Sequence, residues 1–151
     1  MAHSVCEVLL TEQPLSAPPL HELEETGAVL DFWGVVRATE NGRNISGIVY
    51  EAHGAMAEHQ LLILAREAAK QFDLGTIIIW HRIGFVAVGE PSLLVRVGTG
   101  HRVEAFHASQ WTVDELKKRI PIWKRPEFEK GIPATEREAS PQSPTVLPLP
   151  R

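Results

Sequence analysis

The chain has 151 residues, 44% of them hydrophobic, and a formal net charge of −4 at pH 7. This length allows one domain with a hydrophobic core plus appendages, and it is short for two domains. No apolar run approaches the ~20 residues that a membrane-spanning helix needs, and the N-terminal residues lack the pattern of a signal peptide. We therefore expect a cytoplasmic protein that does not insert into a membrane.

Positive charge is concentrated in one region of this acidic chain. From Trp80 to Arg125 there are eight Lys or Arg residues against four acids, whereas the remainder holds seven basic and fifteen acidic residues. A surface that is acidic elsewhere repels polyanions, which argues against extended nucleic-acid binding. The local excess instead favours a small anionic ligand or an acidic protein segment.

The N-terminal part of the chain predicts one strand and one short helix. The apolar pattern from Val5 to Leu10 is typical of a strand. The segment Ser16 to Leu20 resembles a helix cap followed by helix-starting prolines, so we expect a short helix that runs toward Gly27. Cys6 is the only cysteine. It has no basic neighbour in the strand to stabilise a thiolate, so we interpret it as a small core residue.

The next segments predict a β-hairpin and a long helix. Residues 28–37 and 45–52 are rich in β-branched and aromatic types, and Asn41-Gly42 between them is a typical hairpin turn, which places the loop at 38–44. From Met56 to Phe72 apolar residues recur at helical spacing, which indicates an amphipathic helix.

The second half predicts two buried strands, at 76–80 and 92–98, followed by two helices. One helix is expected to begin at His101. The other is expected to follow Thr112, because T-V-D-E is a capping box. Pro121 disfavours a helix at the preceding residue, so the chain should leave the last helix in an extended conformation.

The C-terminal end has a different composition. Six of the eleven prolines follow Arg125, and this stretch has few residues that can be buried to offset the entropy of ordering. We therefore expect a folded domain over residues 1–130 and a disordered, proline-rich tail over residues 131–151.

The motifs argue against a metal or nucleotide cofactor and leave open a site for an anion. The sequence has no C-x-x-C, H-E-x-x-H, G-x-x-x-x-G-K-[ST] or G-x-G-x-x-G motif. His101 and Arg102 follow a glycine at a predicted helix start, where backbone N–H groups and a guanidinium favour a phosphate. Alternatively, Arg102 pairs with a nearby acid on a solvated face. Taken alone, His81-Arg82 is interpreted as structural and Lys117 to Arg119 as ordinary charges at a helix end.

Five segments, in this order and spacing, resemble the catalytic (large) subunit of molybdopterin synthase. They are G-x-V-R at 34–37, Y-E-A at 50–52, H-R-I-G with G-E at 81–90, G-H-R-x-x-A-F at 100–106 and D-E-L-K followed by P-I-W-K-R at 114–125. The likeness covers about residues 5–130. It implies an α+β fold of the hammerhead type, with helices packed on an antiparallel sheet in a single domain.

The resemblance also implies a reaction. With a small ubiquitin-like carrier subunit, that family converts cyclic pyranopterin monophosphate into the dithiolene molybdopterin. The sulfur arrives as a thiocarboxylate on the C-terminal glycine of the carrier, so the catalytic subunit needs no cysteine and no cofactor. The implied assembly is a homodimer flanked by two carriers, a heterotetramer. The alternative hypothesis is a non-catalytic module that docks a ubiquitin-like partner.

The site residues implied by the resemblance are two catalytic lysines and a set that holds the substrate. The lysines are Lys117 and Lys124, which also contact substrate. The other members of the substrate-binding set are Val35, Val36, Arg37, His101, Arg102, Arg125 and Pro126.

The chain departs from the family pattern in three places. Many relatives have an acid directly after W-K-[KR], whereas this chain has Pro126 and then Glu127. Thr99-Gly100 stands before H-R where Ser-Ala is usual, and the C-terminal tryptophan segment of the family is replaced by the proline-rich tail.

Overall fold

In the computed structural model, residues 4–20 and 24–129 are described, and they form eight strands and two helices. The elements are β1 (Val5–Thr11), β2 (Ala28–Val35), β3 (Thr39–Glu40), β4 (Arg43–Ala52), α1 (Gly54–Gln71), β5 (Thr76–Arg82), β6 (Gly84–Ala87), β7 (Pro91–Thr99), α2 (Arg102–Arg119) and β8 (Ile122–Phe128). The α+β class is confirmed. The tail expected at 131–151 lies outside the described residues, so its disorder stays a prediction. No helix in the described ranges is long and apolar enough to cross a membrane.

The first of two four-stranded sheets has the strand order β1-β5-β7-β2. Its neighbouring strands are antiparallel except for β1 and β5, which run parallel and are joined by a long connection that contains β2, β3, β4 and α1. Alternate residues such as Ile77, Ile79, Val95 and Val97 are fully buried against both helices. One face of this sheet therefore carries the main core.

The strand predicted at 28–37 does not form a hairpin with the strand predicted at 45–52, so this prediction was wrong. Instead β2 pairs with β7, and the register of this pairing shifts at a bulge between Gly34 and Val35. The chain then enters a second sheet, in which β4 pairs with β3, β6 and β8. The predicted turn is present: Asn41 and Gly42 have φ angles of 51° and 76° and join β3 to β4. The turn sequence therefore predicted the short hairpin between β3 and β4, but it did not determine the strand with which β2 pairs.

The long helix predicted from Met56 is confirmed as α1. Its buried face consists of Ala57, Leu61, Leu64, Ala65, Ala68 and Ala69. The alanines allow close approach to the sheet, while each buried leucine contributes about 1.5–3 kcal/mol. Arg119 of α2 donates hydrogen bonds of 2.7 and 3.0 Å to the two carboxylate oxygens of Glu67 on α1. The last turn of α2 is therefore held in a defined position.

Residues 102–119 form one continuous helix, so the prediction of two helices was wrong. No glycine or proline interrupts this stretch, and its buried residues run from Ala105 to Leu116. Thr112, the expected cap, is fully buried in the middle of α2. Burial of one continuous face outweighs the local capping pattern.

The short helix expected from Ser16 is also absent from the described residues 16–20. A residue before proline is restricted to extended conformations, and this segment contains two successive prolines. The Arg96 guanidinium, bound to Asp31 at 2.6 and 2.8 Å, also donates hydrogen bonds to the carbonyl oxygens of Pro18 and Pro19. These contacts tie the segment to the first sheet.

Candidate active site

A cleft of about 640 Å³ opens where the C-terminal end of α2 faces both sheets. Small-molecule sites have volumes of about 300–1,000 Å³. The lining residues are Phe32, Gly34, Val35, Val36, Arg37, Glu40, Ile48, Tyr50, His81, Ser92, Leu93, Leu116, Lys117, Ile120, Ile122 and Lys124. Several apolar members, including Leu93 and Leu116, also belong to the main core, so part of the cleft wall is held by the packed interior.

Three cationic side chains, Arg37, Lys117 and Lys124, line this cleft. Arg37 follows the end of β2, Lys117 lies in the last turn of α2, and Lys124 lies on β8 opposite Tyr50. Within residues 4–20 and 24–129, the side chains of Arg37 and Lys117 make no hydrogen bond or ion pair. They are therefore available to an anionic ligand.

The two lysines reach the same cleft because the chain reverses after α2. The helix ends before Pro121, and the Ile122 N–H donates a 2.8 Å hydrogen bond to the Ile120 carbonyl. β8 then pairs with β4. The extended segment expected after Pro121 is confirmed, and it returns Lys124 toward the end of α2.

A carboxylate and an imidazole add to the polar lining of the cleft. Glu40 lies 3.9 Å from the Lys124 ammonium, measured from Oε1 to Nζ. His81 is 5% exposed, and its burial lowers the pKa of the ring, although a hydrogen bond to the Arg82 carbonyl opposes the effect. That bond is 2.7 Å long at Nδ1, so Nδ1 carries a proton that it donates to the carbonyl oxygen. The edge of Tyr50 packs on the ring at 5.1 Å.

His101 and Arg102 lie at the opposite end of α2 from the cleft. Fifteen residues of helix separate Arg102 from Lys117, which corresponds to about 22 Å. Both side chains are exposed and make no hydrogen bond or ion pair in the described part of the chain. Arg102 therefore lacks the acidic partner that the alternative interpretation required. The structure brings neither residue to the cleft of its own chain.

Arg125 and Pro126 lie on β8 but do not line the cleft. Arg125 contacts Glu127 at 3.6 Å and Glu51 at 4.0 Å on the other face of the strand. Pro126 pairs with Ile48, so its ring is on the same face as Lys124. Of the nine site residues expected from the resemblance, five therefore line the cleft: Val35, Val36, Arg37, Lys117 and Lys124.

Sequence reasoning missed several polar residues of the cleft. Tyr50 and His81 belong to the family-like segments Y-E-A and H-R-I-G, which was the available signal. Glu40 and Ser92 gave no such signal, because neither lies in those segments. Among the described residues, no group of three or more His, Cys, Asp or Glu side chains is arranged to hold a metal ion.

Sequence comparison finds close relatives of this chain. A molybdopterin synthase catalytic subunit from Pyrococcus abyssi is 43% identical over 106 residues, which cover 70% of this chain and 72% of that protein. The protein of the same name from Escherichia coli is 34% identical over 139 residues, which cover 87% of this chain and 93% of that protein.

Solved structures and a family model give the same result. Molybdopterin synthase from Staphylococcus aureus has a TM-score of 0.68 and 32% identity, covering 73% of this chain and 80% of that one. A complex of subunits 1 and 2 of molybdopterin-converting factor from Helicobacter pylori shares the fold, with a TM-score of 0.61, 21% identity and coverage of 89% and 92%. The family described as MoaE protein matches residues 10–119. This chain therefore belongs to the MoaE protein family.

Proposed function

We propose that this chain works in the cytoplasm as the catalytic subunit of a molybdopterin synthase. It transfers sulfur from the thiocarboxylated C-terminus of a small ubiquitin-like carrier subunit to cyclic pyranopterin monophosphate, and the product is the molybdopterin dithiolene. The observation that carries this proposal is the convergence of Lys117 and Lys124, from either side of Pro121, on one cleft that Arg37 also lines.

The charges of the cleft suit both reactants. The thiocarboxylate of the carrier and the phosphate of the substrate are anions, and guanidinium and ammonium groups bind such groups by charge-assisted hydrogen bonds. As sulfur adds to the substrate, negative charge develops on oxygen, and a preorganised ammonium stabilises it most strongly where water is excluded. We assign this role to Lys117 and Lys124, and to Arg37 the role of holding an anionic group of the substrate; the support is that all three line the cleft.

A homodimer would resolve the separation of His101 and Arg102 from the cleft. One substrate cannot contact both ends of a helix about 22 Å apart, but the N-terminal end of α2 from a second copy can approach the cleft of the first. Val103 and Phe106, beside His101 and Arg102, are 54% and 59% exposed, which suits burial in an interface. We propose that each active site is built from two chains.

We expect light scattering to give about twice the chain mass of 16.8 kDa. A measured mass equal to one chain at micromolar concentration would contradict the dimeric site. The mass should be measured with and without the carrier. A dimer that forms only with the carrier would show that the contact between the two copies does not lie at the N-terminal end of α2.

Sulfur transfer should not require Cys6. This thiol is partly buried against the core, burial raises its pKa although Arg66 opposes the effect, and it does not line the cleft. Cys6→Ala should therefore keep wild-type turnover, with some loss of stability from packing. If turnover vanished while the melting curve stayed intact, sulfur would pass through this chain and the carrier would not be the direct donor.

The direct test is incubation with cyclic pyranopterin monophosphate and a thiocarboxylated carrier, with dithiolene formation as the readout. Conversion that depends on both reactants supports the proposal. Tight carrier binding without conversion would favour the alternative, a module that docks a ubiquitin-like partner.

A further inference from the structure

Neither residue directly after the W-K-R segment, Pro126 or Glu127, brings a carboxylate to the cleft. Lys124 pairs with Tyr50 and Pro126 with Ile48, and both partners line the cleft, so positions 124 and 126 share the cleft side of β8. Glu127 pairs with Gly47 and therefore has the opposite orientation, where it forms an ion pair of 3.6 Å with Arg125. Strand β8 therefore presents Lys124 to the cleft without a carboxylate of its own on that side.

Glu40 brings a carboxylate to the same place from another element. It ends β3, lines the cleft, and has a side chain that is only 19% exposed, with Oε1 at 3.9 Å from the Lys124 ammonium. The hairpin that carries it is attached to β8, because the Arg43 guanidinium lies 4.0 Å from the centre of the Phe128 ring and the Glu129 N–H donates to the Asn44 carbonyl at 3.0 Å. Glu40 and Lys124 are thus held on connected parts of one sheet.

The Glu40 carboxylate can balance part of the positive charge that lines the cleft. The charged lining residues are three cations, Arg37, Lys117 and Lys124, and the single acid Glu40. The Lys124 side chain is 57% exposed on an edge strand, so without an opposite charge it can turn toward water and away from the other cations. The 3.9 Å separation exceeds hydrogen-bonding distance, which leaves the ammonium donors free for a ligand.

We propose that Glu40 is the positioning residue for Lys124 in this chain, and that it supplies from the β3–β4 hairpin the negative charge that an acid at position 126 would supply from β8. This inference rests on the proposed function, since its effect is measured on sulfur transfer. Glu40 acts through Lys124 and not on the substrate. Its loss should therefore lower kcat and leave the KM for the carrier nearly unchanged.

The first variant is Glu40→Gln, which keeps the size of the side chain and removes its charge. We expect kcat to fall about tenfold, as for a modest displacement of a reacting group. The matched control is Glu51→Gln, whose carboxylate contacts Arg125 at 4.0 Å on the other face of the sheet. The control should stay within about twofold of wild type, as for a surface ion pair. Melting temperatures establish that both variants are folded.

The second variant tests directly whether an acid at position 126 can replace Glu40. Pro126→Glu added to Glu40→Gln should restore most of the lost kcat, whereas a structural defect in the hairpin would not be repaired from β8. Glu40→Asp should retain part of the rate, because it keeps the charge at a greater distance. A folded Glu40→Gln variant with wild-type kcat, or one that Pro126→Glu fails to rescue, would overturn the inference alone. A wild-type chain that forms no dithiolene would overturn the proposed function and this inference with it.

Discussion

Lys117→Ala should lower the single-turnover rate of dithiolene formation by about a hundredfold or more while the protein stays folded. Lys117 lines the cleft, and its side chain makes no hydrogen bond or ion pair within the described residues. Its removal therefore breaks no hydrogen bond or ion pair of the described fold, and the main effect should be the loss of the positive charge that it presents to the reactants. The loss should appear in the rate at saturating substrate, because the ammonium is needed most where charge develops.

Lys118→Ala is the matched control for this prediction. Lys118 is adjacent, its side chain is 71% exposed, and its ammonium lies 3.8 Å from Glu115 on the helix surface. An exposed pair of this kind contributes about 0–1 kcal/mol, so the variant should be nearly silent in both rate and stability. If the two variants lowered the rate equally, the lysines would act only as a solvated basic surface. That result would favour the docking module over the enzyme.

The elements that were predicted correctly are those whose apolar residues recur at a regular spacing and are buried in the structure. α1 and the strands near 76–80 and 92–98 follow from periodic apolar residues, which are the same residues that fill the main core. The errors lie where pairing is decided by distant parts of the chain. The partner of β2 is β7, more than fifty residues away, and no turn motif encodes that contact. The short strand β6 was not predicted, because the glycines in its segment are typical of turns and loops.

The candidate site was also only partly predictable from the sequence. The resemblance supplied residue identities, but whether they meet depends on whether α2 is continuous. Two short helices, as expected, would have allowed Arg102 and Lys117 to lie close together, whereas one helix of 18 residues separates them. Glu40 was missed for a different reason: a single acid beside a turn has no periodicity or motif, and its role follows only from the Lys124 ammonium that the fold places next to it.

Arg102→Ala should weaken binding of cyclic pyranopterin monophosphate by roughly ten- to a hundredfold, because a guanidinium paired with a phosphate contributes about 1.5–3 kcal/mol. Arg102 is exposed, and its side chain makes no hydrogen bond or ion pair in the described chain that its loss would break. Stability should therefore be unchanged. Carrier affinity, measured separately, should also hardly change, and a parallel loss of both affinities would assign Arg102 to the carrier interface.

Co-expression of Arg102→Ala with Lys117→Ala decides whether the site is shared between two chains. In a shared site, a mixed dimer has one cleft with both defects and one cleft with both wild-type residues, so random pairing leaves about a quarter of all clefts intact. We expect the mixture to recover that fraction of wild-type turnover at low substrate concentration, although each parent variant is impaired on its own. If the two residues served one cleft within the same chain, every cleft of the mixture would keep a defect, and activity would stay at the level of the parents.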